Sequence, residues 1–185
     1  MERIELHPDF KDFLRLLNSH GVEYLIVGGY AVGVHGYPRA TGDMDIWIAV
    51  NASNAEKAAV VLRKFGMPEE LITDDLFLEE DKVIRMGVPP VRIELITGAS
   101  GLEFSDCYSR REVLEIDGLP VNFICLQDLK INKRASGRHK DLEDLEHLPL
   151  PPFTPARGKS PAPVKPTFGW KKGYCTQLSL KYRPS

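Results

Sequence analysis

Hydrophobic positions in the first 148 residues switch between helical and strand spacing. Phe10, Phe13, Leu14 and Leu17 recur at intervals of three and four after Pro8, which predicts an opening helix ended by Gly21. Tyr24-Leu25-Ile26-Val27 is a short apolar run that stops at Gly28-Gly29 and reads as a buried strand. Tyr30 to His35 predicts a short helix, Pro38 to Gly42 a polar loop, and Asp43 to Val50 a second strand. Ser53 is placed to cap a helix over 54–65, with Ala55, Ala58, Ala59 and Leu62 along one face and Gly66 as its stop. Lys82 to Gly87 and Val91 to Thr97 predict two strands joined at Pro89-Pro90. Arg111 to Ile116 and Val121 to Ile124 predict a hairpin around Asp117-Gly118. Two helices follow, Leu126 to Ser136 and Lys140 to Leu148, broken at Gly137. In the second, Leu142, Leu145 and Leu148 are expected to face the sheet. Strands separated by helices, with a late hairpin, point to one α/β (α+β) domain over residues 1–148.

The pattern stops there, and composition changes with it. Residues 149–185 hold seven Lys/Arg, no acid and eight of the chain's 14 prolines, so a flexible, basic, proline-rich tail without a packed core is expected. The net charge of −2 therefore averages a body of −9 with this tail. A composition of 43% hydrophobic and 27% charged residues excludes a collagen-like, wholly disordered or histone-like chain. No apolar run is long enough to span a membrane, and Met1-Glu2-Arg3-Ile4-Glu5 lacks the apolar stretch of a signal peptide. Cys107, Cys125 and Cys175 lack metal or redox spacing, which fits a reduced, cytoplasmic protein.

Candidate chemistry concentrates between residues 28 and 45. On a strand, Asp43 and Asp45 point to the same face about 7 Å apart, with Met44 on the opposite, buried side. Paired carboxylates suit a hard cation such as Mg²⁺, although an exposed acidic strand edge has the same pattern. Glu94 interrupts the apolar run Val91 to Ile96 and needs either a metal or an ion-pair partner such as Arg92. Gly28-Gly29 lets the backbone approach a phosphate, and also suits a tight strand-to-helix turn. Other signatures fail. The glycines at 28, 29, 33 and 36 lack dinucleotide spacing, and Gly158-Lys159-Ser160 lacks the first glycine of a P-loop. No His-Glu-x-x-His or Gly-x-Ser-x-Gly occurs, and His35 reads as a local hydrogen-bonding residue.

Gly28-Gly29, the block Arg39-Ala40-Thr41-Gly42-Asp43-Met44-Asp45 and the later acidic strand together resemble small nucleotidyltransferases of the DNA polymerase β-like superfamily. Within it the chain looks most like bacterial AbiEii-type toxin nucleotidyltransferases. A second block, Asp128 to Leu145, is similar to that family's lysine, small residue, basic turn and Lys-Asp-x-x-Asp. The likeness runs from about Phe10 to Leu148.

The resemblance implies a mixed sheet flanked by helices and transfer of a nucleoside monophosphate from an NTP to an acceptor hydroxyl on RNA such as tRNA, a protein or a small molecule. It implies that Asp43, Asp45 and Glu94 are catalytic and hold two Mg²⁺ ions. It places Gly28, Gly29, Arg39, Thr41, Lys133 and Lys140 at the nucleotide, with Asp141 and Asp144 orienting the bases or their helix. It also raises an antitoxin as a partner. One departure stands out: the family usually has Asp where this chain has Glu94, and a carboxylate displaced by about 1 Å can cost substantial rate. That keeps open a catalytically inactive module of the same fold that binds nucleotide or a partner protein. A nucleic-acid adaptor working through the tail, where Phe168, Trp170, Tyr174 and Tyr182 interleave with basic residues, is a further reading.

Overall fold

Pro8 starts the first helix, α1 (Pro8–Ser19), and the His7 ring accepts a hydrogen bond from the Asp9 amide at its N-terminus. The computed structural model describes residues 6–73, 75–88 and 90–149. Apart from Pro149, the expected tail lies outside the described residues.

After α1 come β1 (Tyr24–Ile26), α2 (Gly28–Val34), β2 (Asp43–Ile48) and α3 (Ala52–Phe65). A short 3-10 turn at Glu69–Leu71 leads to β3 (Val83–Val88) and β4 (Val91–Ile96). Then follow α4 (Phe104–Ser109), β5 (Glu112–Ile116), β6 (Leu119–Phe123), α5 (Leu126–Ser136) and α6 (His139–His147). The six strands form one sheet in the order β3-β4-β2-β1-β6-β5. The pairs β2/β4 and β1/β6 are parallel and the others antiparallel, so the sheet is mixed and helices flank it. The α/β expectation holds.

One sheet face carries the larger core. Tyr24, Ile26, Met44, Ile46 and Ile48 are buried there, and the Tyr24 hydroxyl donates to Asn18 of α1. Phe13 of α1 meets Phe65 of α3 edge to face at 4.9 Å. Buried Asn54 of α3 satisfies its amide against the chain around β1 and β2, accepting from Glu23 N and donating to Glu23 O and Ala49 O. The β5–β6 hairpin turns through Asp117 and Gly118, both at positive φ, as a two-residue turn of matching twist requires.

Three local expectations change. Asn51, not Ser53, caps α3, because its side chain accepts from the Asn54 amide and the helix starts at Ala52. Helix α4 was not predicted; at six residues it is too short to show a period. Helix α6 turns Asp141 and Asp144 inward, while Leu142 is 47% exposed and only Leu148, just past its end, is fully buried of the three leucines. Buried cations explain that reversal, as the site shows. Among the described residues, no helix is long and apolar enough to cross a membrane.

Candidate active site

Strand register brings the acids together. Parallel pairing of β2 with β4 sets Asp43 opposite Arg92 and Asp45 opposite Glu94. Antiparallel pairing of β3 sets Arg85 on the other side of Glu94. Because side chains alternate, Asp43, Asp45, Glu94, Arg92 and Arg85 share the sheet face opposite Met44 and Ile46. Sequence spacing alone reaches only the Asp43–Asp45 pair; Glu94 joins it through register.

The glycine pair closes one side of this row. The Val27 amide donates to Asp45 O at 3.0 Å, so α2 begins directly beside Asp45. Gly28 has φ +60°, and a side-chain carbon there would overlap the Asp45 carboxylate. A carbon on Gly29 would sit 2.6 Å from Thr41 Oγ1. Thr41 Oγ1 in turn donates to Asp43 O at 3.2 Å. The two glycines are thus held by local packing as well as by any ligand.

Basic residues arrive from α5, α6 and the loop before β2. Lys133 is 3% exposed, and its ammonium lies 2.7 Å from Asp141 Oδ1 and 2.8 Å from Asp144 Oδ2. Arg39 makes a bidentate pair with Asp144 at 2.6 and 2.8 Å, which raises the Arg39 pKa further. Arg138 Nε pairs with Asp141 Oδ2 at 2.6 Å. Burial would push both aspartates up. Hydrogen bonds from Arg138 and Lys133 to Asp141, and from Arg39 and Lys133 to Asp144, outweigh it and hold both carboxyls below their ordinary range. This network is why α6 presents acids to the interior. It also means that Lys133 lines the site with its charge already shared between two carboxylates. Exposed Lys140 makes no ion pair among the described residues. Arg39 Nη1, the remaining arm of that guanidinium, is buried without a hydrogen-bond partner.

All nine candidate residues (Gly28, Gly29, Arg39, Thr41, Asp43, Asp45, Glu94, Lys133 and Lys140) line one cavity of about 500 Å³. Burial, then Glu94 and Asp43, push the Asp45 carboxyl from its ordinary 3.8 to about 6, although Lys133 and Arg138 pull the other way. Asp45 makes no ion pair among the described residues, and Asp43 Oδ1 is buried with no hydrogen-bond partner. An all-oxygen donor set with unpaired lone pairs is the chemistry of a hard divalent cation.

Arg92 stands in the way of that cation. Its Nη2 bridges Asp43 Oδ2 at 2.6 Å and Glu94 Oε1 at 3.1 Å, and Arg85 Nε donates to the same Glu94 oxygen at 2.9 Å. Among the described residues, no three His, Cys, Asp or Glu side chains are gathered closely enough to hold a metal ion as they stand. Glu94 therefore has the Arg92 partner weighed from sequence, and a metal at these carboxylates needs Arg92 to withdraw. Arg85 was missed by sequence reading; its signal was a lone charge two residues from Val83 and Gly87 on an alternating strand. His35 hydrogen-bonds the Ile124 carbonyl at 2.7 Å through Nε2 and lies outside the cavity lining.

A mixed sheet presenting in-register carboxylates beside a glycine turn and the basic residues Lys133, Arg138 and Lys140 around the α5–α6 turn is the arrangement of a nucleotidyltransferase-like protein. Residues 6–150 match the family described as "Nucleotidyltransferase of unknown function (DUF6036)", and the chain belongs to that family. This agrees with the superfamily-level likeness of the two motif blocks; the narrower AbiEii-type likeness is not part of the match. Comparison with curated proteins finds no significant match. Among solved structures, the chain is similar to an antigenic nucleotidyltransferase-like protein from Paracoccidioides brasiliensis, at 19% identity over 76% of this chain and 74% of that one, with a TM-score of 0.46. It is also similar to a protein from Thermotoga maritima described as a nucleotidyltransferase, at 14% identity over 77% of this chain and 93% of that one, with a TM-score of 0.48. Neither structural likeness carries the functional argument.

Proposed function

We propose that the chain moves a nucleoside monophosphate from an NTP to an acceptor hydroxyl, releasing pyrophosphate. The observation that carries this reading is the row formed by Asp45 and Glu94 on paired strands, with Asp43 two residues away on the same face. In the reaction, the acceptor oxygen bonds to the α-phosphorus and the bond from that phosphorus to the pyrophosphate oxygen breaks. The acceptor proton passes to a Glu94 carboxylate oxygen and on to water. Lys140, Arg138 and the free arm of Arg39 face the triphosphate, and side-chain-free Gly28 and Gly29 leave room for it beside Asp45. Lys133 acts indirectly, by fixing α6 and the Arg39 guanidinium through Asp144.

Asp43, Asp45 and Glu94 would hold Mg²⁺, one or two ions, and the metal when bound neutralises triphosphate charge and lowers the pKa of the attacking hydroxyl. Arg92 leaves Asp43 and Glu94 in that state and is free to pair with phosphate. Action in the bacterial cytoplasm, with an antitoxin as regulator, is the biological setting the motif blocks suggest. A second reading has a specific observation behind it: Arg92 and Arg85 already pair with Asp43 and Glu94, as expected of an inactive module that only binds nucleotide or a partner protein.

The test is incubation of the full chain with Mg²⁺ and α-labelled NTPs in the presence of RNA, protein and small-molecule acceptors. Label transfer that disappears in Asp45→Ala supports the enzyme. Nucleotide binding without transfer to any acceptor selects the inactive module. Absence of NTP binding by calorimetry, with or without Mg²⁺, overturns the enzyme and the nucleotide-binding form of the module, and selects a module that binds a partner protein.

A further inference from the structure

A second cavity, of about 410 Å³, opens beyond the first at the C-terminal ends of β2 and β4. We propose that it binds a hydroxyl-bearing organic cation and holds it as the acceptor for the neighbouring transfer site. The acceptor role rests on the nucleotidyl-transfer reading; the ligand site does not.

Trp47 sits two residues after Asp45 on β2, on the same sheet face and about 7 Å further along. It is 2% exposed, lines this cavity, and its Nε1–H is buried without an acceptor. A buried indole N–H normally finds a partner, so a ligand oxygen is a fitting one. Phe104 packs edge to face on Trp47 at 5.2 Å and stacks on Tyr108 at 5.4 Å, giving the cavity an aromatic wall. Arg111 already lies 3.9 Å from the centre of the Tyr108 ring, so this wall accommodates a cation on one of its surfaces.

The charge of the cavity points the same way. Its lining has four acids, Glu23, Glu80, Asp81 and Glu103, and no Lys or Arg. None of the four makes an ion pair among the described residues. The loop presenting Glu80 and Asp81 is held in place by buried Thr97, whose hydroxyl accepts from the Lys82 amide and donates to Glu79 O. Asp81 itself sits at φ +58°, packed against Gly98. Four uncompensated carboxylates repel a polyphosphate or nucleic acid. No three of the described acids gather closely enough for a metal ion. Aromatic faces with separated carboxylates instead select an organic cation, through cation–π contact and several ion pairs at once.

The probe is the disaccharide of two β-1,4-linked glucosamine units, with its doubly N-acetylated form as the neutral control. Binding to the full chain is read by calorimetry and by Trp47 fluorescence in a Trp170→Phe background. The amino form is expected to bind at least ten-fold more tightly than the acetylated one. The double variant Asp81→Asn, Glu103→Gln is expected to lose at least ten-fold with an unchanged circular-dichroism spectrum. No binding, equal binding of the two sugars, or full binding by the double variant overturns the site. The acceptor role is read by label transfer from NTP to the bound sugar, which Asp45→Asn should abolish while leaving sugar binding intact. Transfer to RNA or protein but not to the bound sugar overturns the acceptor role. Absence of transfer to every acceptor tells against the nucleotidyl-transfer reading instead, and the binding result still decides the site.

Discussion

Two cavities share one face of one sheet, yet they treat charge in opposite ways. The first gathers six basic and four acidic side chains, most of them in short pairs. The second has four acids and no cation among its lining. Paired charges fix geometry, because removing one partner strands the other in a poorly solvated place. Unpaired acids near a surface fix little and await a counter-ion. The difference teaches where stability and where ligand affinity should reside: the first cavity is structurally committed, the second is chemically open.

The largest effect tests the division of labour. Asp45→Ala should lower nucleotidyl transfer by at least about 10³-fold, the scale expected on losing a group that acts at the reacting centre, with sugar binding in the second cavity unchanged. Equal loss of both would mean the cavities act as one.

Lys133→Met should cost about 3 kcal/mol in urea unfolding, because Asp141 and Asp144 stay buried with one cation fewer between them. A cost below about 1 kcal/mol would show that the first cavity is not structurally committed.

Asp45 gives the same comparison a pH axis. In the metal-free protein its carboxyl is raised to about 6, first by burial and then by Glu94 and Asp43. The folded state therefore disfavours its ionised form. That penalty is absent below about pH 4, builds as pH rises from 4 to 6, and is complete above 6. Asp45→Asn should thus be more stable than the parent above pH 6, by roughly 2–3 kcal/mol, with the two converging in acid. Unfolding curves in EDTA across this range measure it, and parallel curves would refute the burial argument. Asp141 and Asp144, lowered rather than raised, act oppositely and cancel between parent and variant.

The smallest effect belongs to the second cavity. Glu103→Gln should change stability by no more than about 0.5 kcal/mol, because no ion pair is lost among the described residues. A drop near 2 kcal/mol would reveal a structural role for that acid.

Much of the layout was legible in the chain. Helical spacing from Phe10 to Leu17, strand alternation around Asp43 and Asp45, and the Asp117-Gly118 turn all signal local conformation, which nearby residues largely determine. Helix α6 was misread for an equally physical reason. Its leucine spacing is a local signal, but its inward face is set by Lys133 and Arg39, which lie on other elements and supply the ion pairs that hold Asp141 and Asp144 inside.

By itself, the sequence determined the mixed α/β character, the paired aspartates and the break at Gly28-Gly29, whereas Asp45 and Thr41 packed against those glycines are what exclude larger residues there. Only the tertiary structure decided which charges meet. Strand register set Glu94 beside Asp45 and handed Asp43 and Glu94 to Arg92. Chain reversal collected Glu23, Trp47, Asp81 and Phe104, widely spaced in sequence, into a second cavity. Backbone preference acts over a few residues, whereas pairing of charges and aromatic walls depends on which strands and loops the fold brings together.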